Sequence, residues 1–233
     1  TNRIIIINKN NNSFYGLLPE RAWNYGVSLN HNFKLFSKNS TLTLDYYNTS
    51  FVNQVVVDYE KEGTVLFYNL EGNSYSKSFQ LKFDINLTPQ IEFISAYKND
   101  NVSIDYISGT KQKQLVPLNR YFVNLSWNSL KNIKNKQWKY DFTINGVGNQ
   151  RLVENSLNSN FNESPSFSII NSQLTRVFSN LFEAYIGIEN LGNFTQKNPI
   201  IFENDPFNNK FDTSQIWAPV LGRMFYIGLR YKI

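Results

Sequence analysis

The chain has 233 residues, no cysteine, one histidine and a net charge of +5. The missing cysteine excludes a disulfide scaffold, a thiolate zinc site and a cysteine nucleophile, and the basic residues are dispersed along a solvated surface rather than gathered into a patch for nucleic acid. The longest aliphatic run, residues 4–7, falls far short of the roughly 20 residues of a membrane helix.

Aromatic residues make up 16% of the chain, with 14 Tyr and 19 Phe, yet mean hydropathy is −0.40. That pairing suits many short alternating strands. In chain order the alternation predicts strands over 22–36, 41–58, 66–87, 91–107, 120–130, 137–148, 166–178, 181–191 and 223–233. In 79–87 the residues Phe79, Leu81, Phe83, Ile85 and Leu87 alternate with Gln80, Lys82, Asp84 and Asn86. Trp138, Tyr140, Phe142 and Ile144 do the same against Lys139, Asp141 and Thr143, so one face of each strand is greasy and the other wet. Such alternation also describes a soluble β-sandwich.

The links separate the two readings. They run short, long, short, long along the chain: 37–40, 59–65, 88–90, 108–119, 131–136, 149–165, 179–180 and 192–222. Short turns on one side and long loops on the other are the habit of outer-membrane barrels, whose long loops are extracellular. Aromatics gather at the strand ends as interface girdles require, with Trp138, Phe182 and Tyr231 on the inner rim and Tyr121 and Tyr25 on the outer rim. The last ten residues place Phe225, Ile227, Leu229, Tyr231 and Ile233 on one face and Tyr226, Gly228, Arg230 and Lys232 on the other. An apolar final strand would be an aggregation edge in water and is expected to belong to a closed barrel. The opening Thr1-Asn2-Arg3 has no Met and no signal-peptide core, so for an exported protein the N-terminus is expected to lie upstream or to have been removed.

Several blocks carry a family resemblance. Pro19-Glu20-Arg21-Ala22-Trp23-Asn24-Tyr25-Gly26, Leu44-Asp45-Tyr46-Tyr47 through Asn53-Gln54-Val55-Val56-Val57-Asp58, Glu189-Asn190-Leu191-Gly192-Asn193, and Ile216-Trp217-Ala218-Pro219-Val220-Leu221-Gly222-Arg223-Met224-Phe225-Tyr226 resemble TonB-dependent outer-membrane receptors. The resemblance runs from about Leu18 to the end. It implies an all-β fold: an antiparallel transmembrane β-barrel, here the last nine or ten strands of a 22-stranded barrel whose N-terminal plug domain is absent from this chain. Residues 1–233 are then a single unit, with 1–18 an extracellular loop or strand end. The implied function is the wall and extracellular vestibule for active uptake of a siderophore-, haem-, cobalamin- or glycan-like nutrient. The implied partners are the missing plug and strands, the TonB complex acting through that plug, the barrel-assembly machinery, and outer-membrane lipid with lipopolysaccharide. A self-contained barrel of about ten strands, serving as a passive channel or adhesin, is the first alternative, and a soluble β-sandwich binding module the second.

Residues that carry chemistry are sparse, and no enzyme, cofactor, metal or nucleic-acid partner is expected. His31 shares the outward face with Leu29 and Phe33, a poor place for a catalytic base. Glu183 and Glu189 share a face but lie about 20 Å apart along an extended strand. Lys139 and Asp141 are read as a lumenal ion pair. Asp205, Asn208, Asn209 and Asp212 do not match a calcium-loop spacing and suit a turn, Gly146-Val147-Gly148 is a strand end rather than a dinucleotide loop, and Arg230-Tyr231-Lys232 splits its bases and its aromatic between two faces. Two candidate sites remain. By resemblance, Phe225, Ile227, Leu229, Tyr231 and Ile233 form the terminal-strand assembly signal, with Ile233 in place of the frequent terminal Phe. Phe202, Phe207, Phe211 and Trp217 of the longest loop are candidate ligand contacts, although such aromatics can equally pack the loop on itself.

Overall fold

The computed structural model describes residues 3–7, 14–61, 63–70, 72–133, 136–153, 162–208 and 211–232. Its strands are β1 (Arg3–Ile6), β2 (Arg21–Leu35), β3 (Lys38–Asn53), β4 (Val55–Asp58), β5 (Thr64–Asn69), β6 (Ser74–Thr88), β7 (Ile91–Tyr106), β8 (Gly109–Gln112), β9 (Asn119–Asn128), β10 (Gln137–Val147), β11 (Phe167–Val177), β12 (Phe182–Glu189) and β13 (Met224–Tyr231). Nine of them form one antiparallel meander in the order β13-β12-β11-β10-β9-β7-β6-β3-β2, with β8 folded back on the far end of β7. β2 and β13 do not pair with one another, so the sheet is an open wall. The alternatives fail here: a self-contained barrel would join those edges, and a sandwich would lay a second large sheet on the apolar face.

Register puts every alternating series on the same two faces. Leu29 stands opposite Leu44, Leu44 opposite Leu81 and Leu81 opposite Tyr97; Leu125 stands opposite Phe142, Leu174 opposite Ile186 and Ile186 opposite Ile227. This face is apolar and exposed, with Leu29 60%, Ile186 53% and Ile227 79% open. Soluble proteins do not leave apolar areas of this size to water, whereas lipid covers them without cost. The turn-end rim carries Trp138, with Phe182 facing Tyr231, and the loop-end rim carries Tyr97 and Tyr121 with ring centroids 5.2 Å apart. His31 lies on the lipid face, stacked on Phe33 at 5.5 Å.

The opposite face is polar and bonded across strands. Ser28 Oγ donates to Asp45 at 2.5 Å, Thr41 to Asn32 at 2.8 Å, Ser78 to Asp100 at 2.8 Å and Ser126 to Asp141 at 2.8 Å. The lumenal ion pair expected between Lys139 and Asp141 is therefore not made, because the serine directly across the ladder satisfies the carboxylate.

The wall's apolar side chains face outward, so the buried core lies elsewhere, at the long-loop end. There Val56, Tyr68, Leu70, Ile104 and Tyr106 form a cluster, with Phe51 and Leu66 packed against it. It sits beneath a three-stranded sheet in the order β1-β5-β4, with β1 parallel to β5. This cap corrects two strand expectations. The single strand expected over 41–58 ends at Asn53, and the one expected over 66–87 is two strands separated at 70–73. Asparagine amides make the corner: Asn53 Nδ2 donates to the Pro19 carbonyl at 2.6 Å, and Asn69 Nδ2 to the Leu18 carbonyl at 3.0 Å. Of residues 1–18, 3–6 form β1 and 14–16 a 3-10 turn.

Candidate functional site

The lumenal face and the loops above it enclose a cavity of about 500 Å³ at the long-loop end. Register brings its cations together, since Lys98 of β7 stands directly opposite Arg120 of β9. Asp100 pairs with Lys98 at 3.1 Å, while no acid pairs with Arg120 among the described residues. Gln80, Asn145 and Gln150 add amides, and Phe122, Phe167 and Trp217 an aromatic wall. A site of this composition can hold the charge of an anion against Arg120 and the flat or greasy part of the same molecule against the rings.

The roof is the loop between β12 and β13. Trp217 packs against Phe167 at 5.7 Å and Phe194 at 6.3 Å, and Phe167 stacks on Phe194 at 5.0 Å. Gln196 is buried; its Oε1 accepts the backbone N–H of Trp217 at 2.8 Å and of Ala218 at 3.2 Å, and its Nε2 donates to the Gln215 carbonyl at 2.9 Å. Gln150 Nε2 donates to the Trp217 carbonyl at 2.9 Å, and Gln215 Nε2 to the Val153 carbonyl at 3.0 Å. Gln196→Leu keeps the volume but leaves the partly buried N–H groups of Trp217 and Ala218 and the buried Gln215 carbonyl without this partner, at a cost of about 1–3 kcal/mol for a buried group. The expected result is a loop cleaved at least tenfold faster in limited proteolysis, with the barrel itself intact on a gel.

Beside the cavity an ionic knot ties three loops. Glu60, beyond β4, receives Arg151 at 2.5 Å and Lys111 of β8 at 2.6 Å, and Arg151 Nε donates to the Gln112 carbonyl at 2.5 Å. Burial pushes the Glu60 carboxyl up, but hydrogen bonds from Arg151 and Lys111 outweigh it and hold the group below its ordinary value. Tyr68 is pushed the other way, first by burial and then by donating its hydroxyl to Asp58 at 2.7 Å.

No protein-family model matches the chain, and no curated protein matches its sequence. Solved structures do match its fold. The copper transporter OprC superposes over 100% of this chain at TM-score 0.71 and 16% identity. The ferric enterobactin receptor PfeA of Pseudomonas aeruginosa superposes over 93% at TM-score 0.65 and 13% identity, and the ferric-catecholate import receptor Fiu of K12 E. coli over 97% at 0.61 and 14%. The chain spans 34%, 32% and 30% of their lengths respectively, about a third of each.

The fold is that of the C-terminal barrel portion of TonB-dependent receptors. The exposed apolar face derived above agrees with the outer surface of such a barrel wall. These neighbours are transporters and receptors, not enzymes.

Within this barrel wall the residues singled out from sequence are scattered. Trp217 reaches the cavity; Phe202 and Phe207 are exposed, Phe207 by 96%, and neither they nor Phe211 line it. Phe225, Ile227, Leu229 and Tyr231 share the lipid face of β13, while Ile233 lies outside the described residues. Asp205 accepts from Asn208 at 3.3 Å, Asp212 accepts the Ser214 backbone N–H at 2.7 Å, and Asn209 lies outside the described residues. Among the described residues no three His, Asp or Glu side chains group to hold a metal. Sequence reasoning missed Lys98, Arg120, Gln150 and the Glu60 knot. Arg120 carried a readable signal, because it is a wet-face cation at the long-loop end of its strand, whereas Lys98 lies in the middle of β7.

Proposed function

We propose that this chain is the C-terminal wall and vestibule of a TonB-dependent receptor that takes up a scarce nutrient actively. The observation that carries the reading is the cavity on the lumenal face, at the long-loop end, where Arg120 and an aromatic wall meet. The neighbouring structures that carry copper or ferric chelates support a nutrient cargo of the siderophore, haem, cobalamin or glycan kind. In this reading an N-terminal plug and further strands complete the barrel, TonB acts through the plug, and the assembly machinery reads Phe225, Ile227, Leu229, Tyr231 and Ile233. Residues 1–233 act as one unit in it. No residue of this chain performs covalent chemistry.

The test is uptake by cells expressing the intact protein, with radiolabelled ferric catecholate, ferric hydroxamate, haem, cobalamin, copper and oligosaccharide as probes. One of them should enter only when TonB is present. The Lys98→Ala/Arg120→Ala double variant should lower that uptake about tenfold or more at limiting concentration, as expected when charge-assisted hydrogen bonds are lost. Uptake unchanged without TonB, together with steady ion conductance of the purified protein in planar bilayers, would establish a passive channel instead.

A further inference from the structure

Arg176 is out of place on a lipid-facing surface. It is the second-last residue of β11 and stands opposite Trp138 of β10 on one side and Ala184 of β12 on the other. Both belong to the apolar face, as do the next rungs, Tyr140 opposite Leu174 and Leu229 opposite Ala184. The guanidinium carbon lies 4.7 Å from the Trp138 ring centre and 6.0 Å from that of Phe178, which stacks on Phe182 at 5.5 Å. Among the described residues no carboxylate pairs with it. The nearby Glu183 points to the lumen, where Arg230 takes it.

An uncompensated charge is costly at the middle of the bilayer and cheap at its edge. Arg176 lies at the edge, one residue from the short turn that leads into β12 and level with the Trp138, Phe182 and Tyr231 girdle. Short turns face the periplasm in barrels of this kind, and the membrane leaflet on that side is phospholipid. The aromatic rings hold the arginine by cation–π contact, while its N–H groups have no protein acceptor among the described residues. A guanidinium with a free fork binds a phosphate bidentately. Below it, Tyr140, Leu174 and Leu229 offer an apolar track on which an acyl chain can lie.

We infer that Arg176, seated on Trp138 and Phe178, is a binding site for the phosphodiester of a phospholipid in the periplasmic leaflet. The site fixes the turn end of β10, β11 and β12 at the membrane surface. It needs only that the wall face lipid, and so it is independent of what the receptor carries.

The intact protein, purified in dodecyl maltoside and stripped of lipid, is titrated with dioleoylphosphatidylglycerol and followed by native mass spectrometry. Arg176→Gln should weaken the first bound lipid about fivefold, the contribution of one basic residue at a membrane surface. Arg176→Lys should weaken it less, and Trp138→Leu, which removes the platform, should also weaken it. Arg120→Gln, on the lumenal face, should leave it unchanged. Heat-modifiable migration confirms folding of each variant, and the lysine and Trp138 variants carry the test if the glutamine variant does not fold. First-lipid binding that is equal in wild type and Arg176→Gln overturns the proposal. So does an equal loss in Arg120→Gln, or a signal that inorganic phosphate alone supplies at the same site.

Discussion

Gly228→Leu should remove the protein from the outer membrane, lowering its assembled, heat-modifiable form about tenfold or more. Gly228 of β13 faces Tyr185 of β12, and Gly187 of β12 faces Tyr226 of β13, all on the lumenal side. Each tyrosine ring lies across the opposing glycine, so that a Cβ at either glycine would occupy the space of the ring. The two rings meet edge to face at 6.2 Å, Tyr226 donates its hydroxyl to Gln173 at 2.9 Å, and Arg230 lies 5.8 Å from the Tyr185 ring and pairs with Glu183. Three strands are thus stitched by one row of side chains. Leucine at 228 would lever Tyr185 out of that row, and overpacking of this kind costs about 1–3 kcal/mol before the broken contacts are counted. Among the described residues β13 pairs with β12 alone, so it has no second ladder to absorb the loss. The swap Tyr185→Gly/Gly228→Tyr restores one ring over one glycine and should recover much of the assembled form. Wild-type levels of Gly228→Leu, read by heat-modifiable migration of outer-membrane fractions, would show that the ring-over-glycine row is dispensable.

The wall was legible in the sequence for a physical reason. Lipid on one side and a wet lumen on the other enforce a period of two more strictly than a soluble core does, so β9, expected over 120–130, is observed at Asn119–Asn128, and β10, expected over 137–148, at Gln137–Val147. The cap was not legible, because period carries no information about corners. Phe51, Val55 and Val57 continue the alternation straight through Asn53 and Gln54, while the turn out of the barrel is made by side chains reaching the Leu18 and Pro19 carbonyls, 51 and 34 positions away. The Gly72-Asn73 pair did mark the second break, and it is a turn signal that the long alternating run overrode.

The cavity shows the same division. Lys98 and Arg120 meet only through the β7–β9 register, and a long link between two strands does not set register as a tight turn does. Four aromatics of the β12–β13 loop were equivalent in composition. Trp217 differs from Phe202, Phe207 and Phe211 because Gln150 and Gln196 hold its backbone, and such pairings join positions 67 and 21 residues apart. A glutamine in a loop carries no mark that it will be buried.

Acid should open the cap before it touches the wall. The folded Glu60 carboxyl titrates below its ordinary value of 4.5, so its contribution to stability is complete above that value and disappears as pH falls through the lower, folded one. Hydrogen exchange in residues 55–69, corrected for the intrinsic rate, should therefore rise below pH 4.5 while exchange in β9 and β10 stays slow. Arg151→Met should loosen the cap at neutral pH by about 1–2 kcal/mol, less than removing one partner of a fully buried pair costs, because the pair is partly buried and Lys111 remains. With Lys111→Met added, the sign reverses. Burial then acts alone, the carboxyl titrates above its ordinary value, and the double variant should become tighter, not looser, as pH falls through that raised value. Glu60→Gln should abolish the dependence in either direction. A double variant that still loosens in acid would place the sensing group elsewhere and reduce the Glu60 knot to a surface pair.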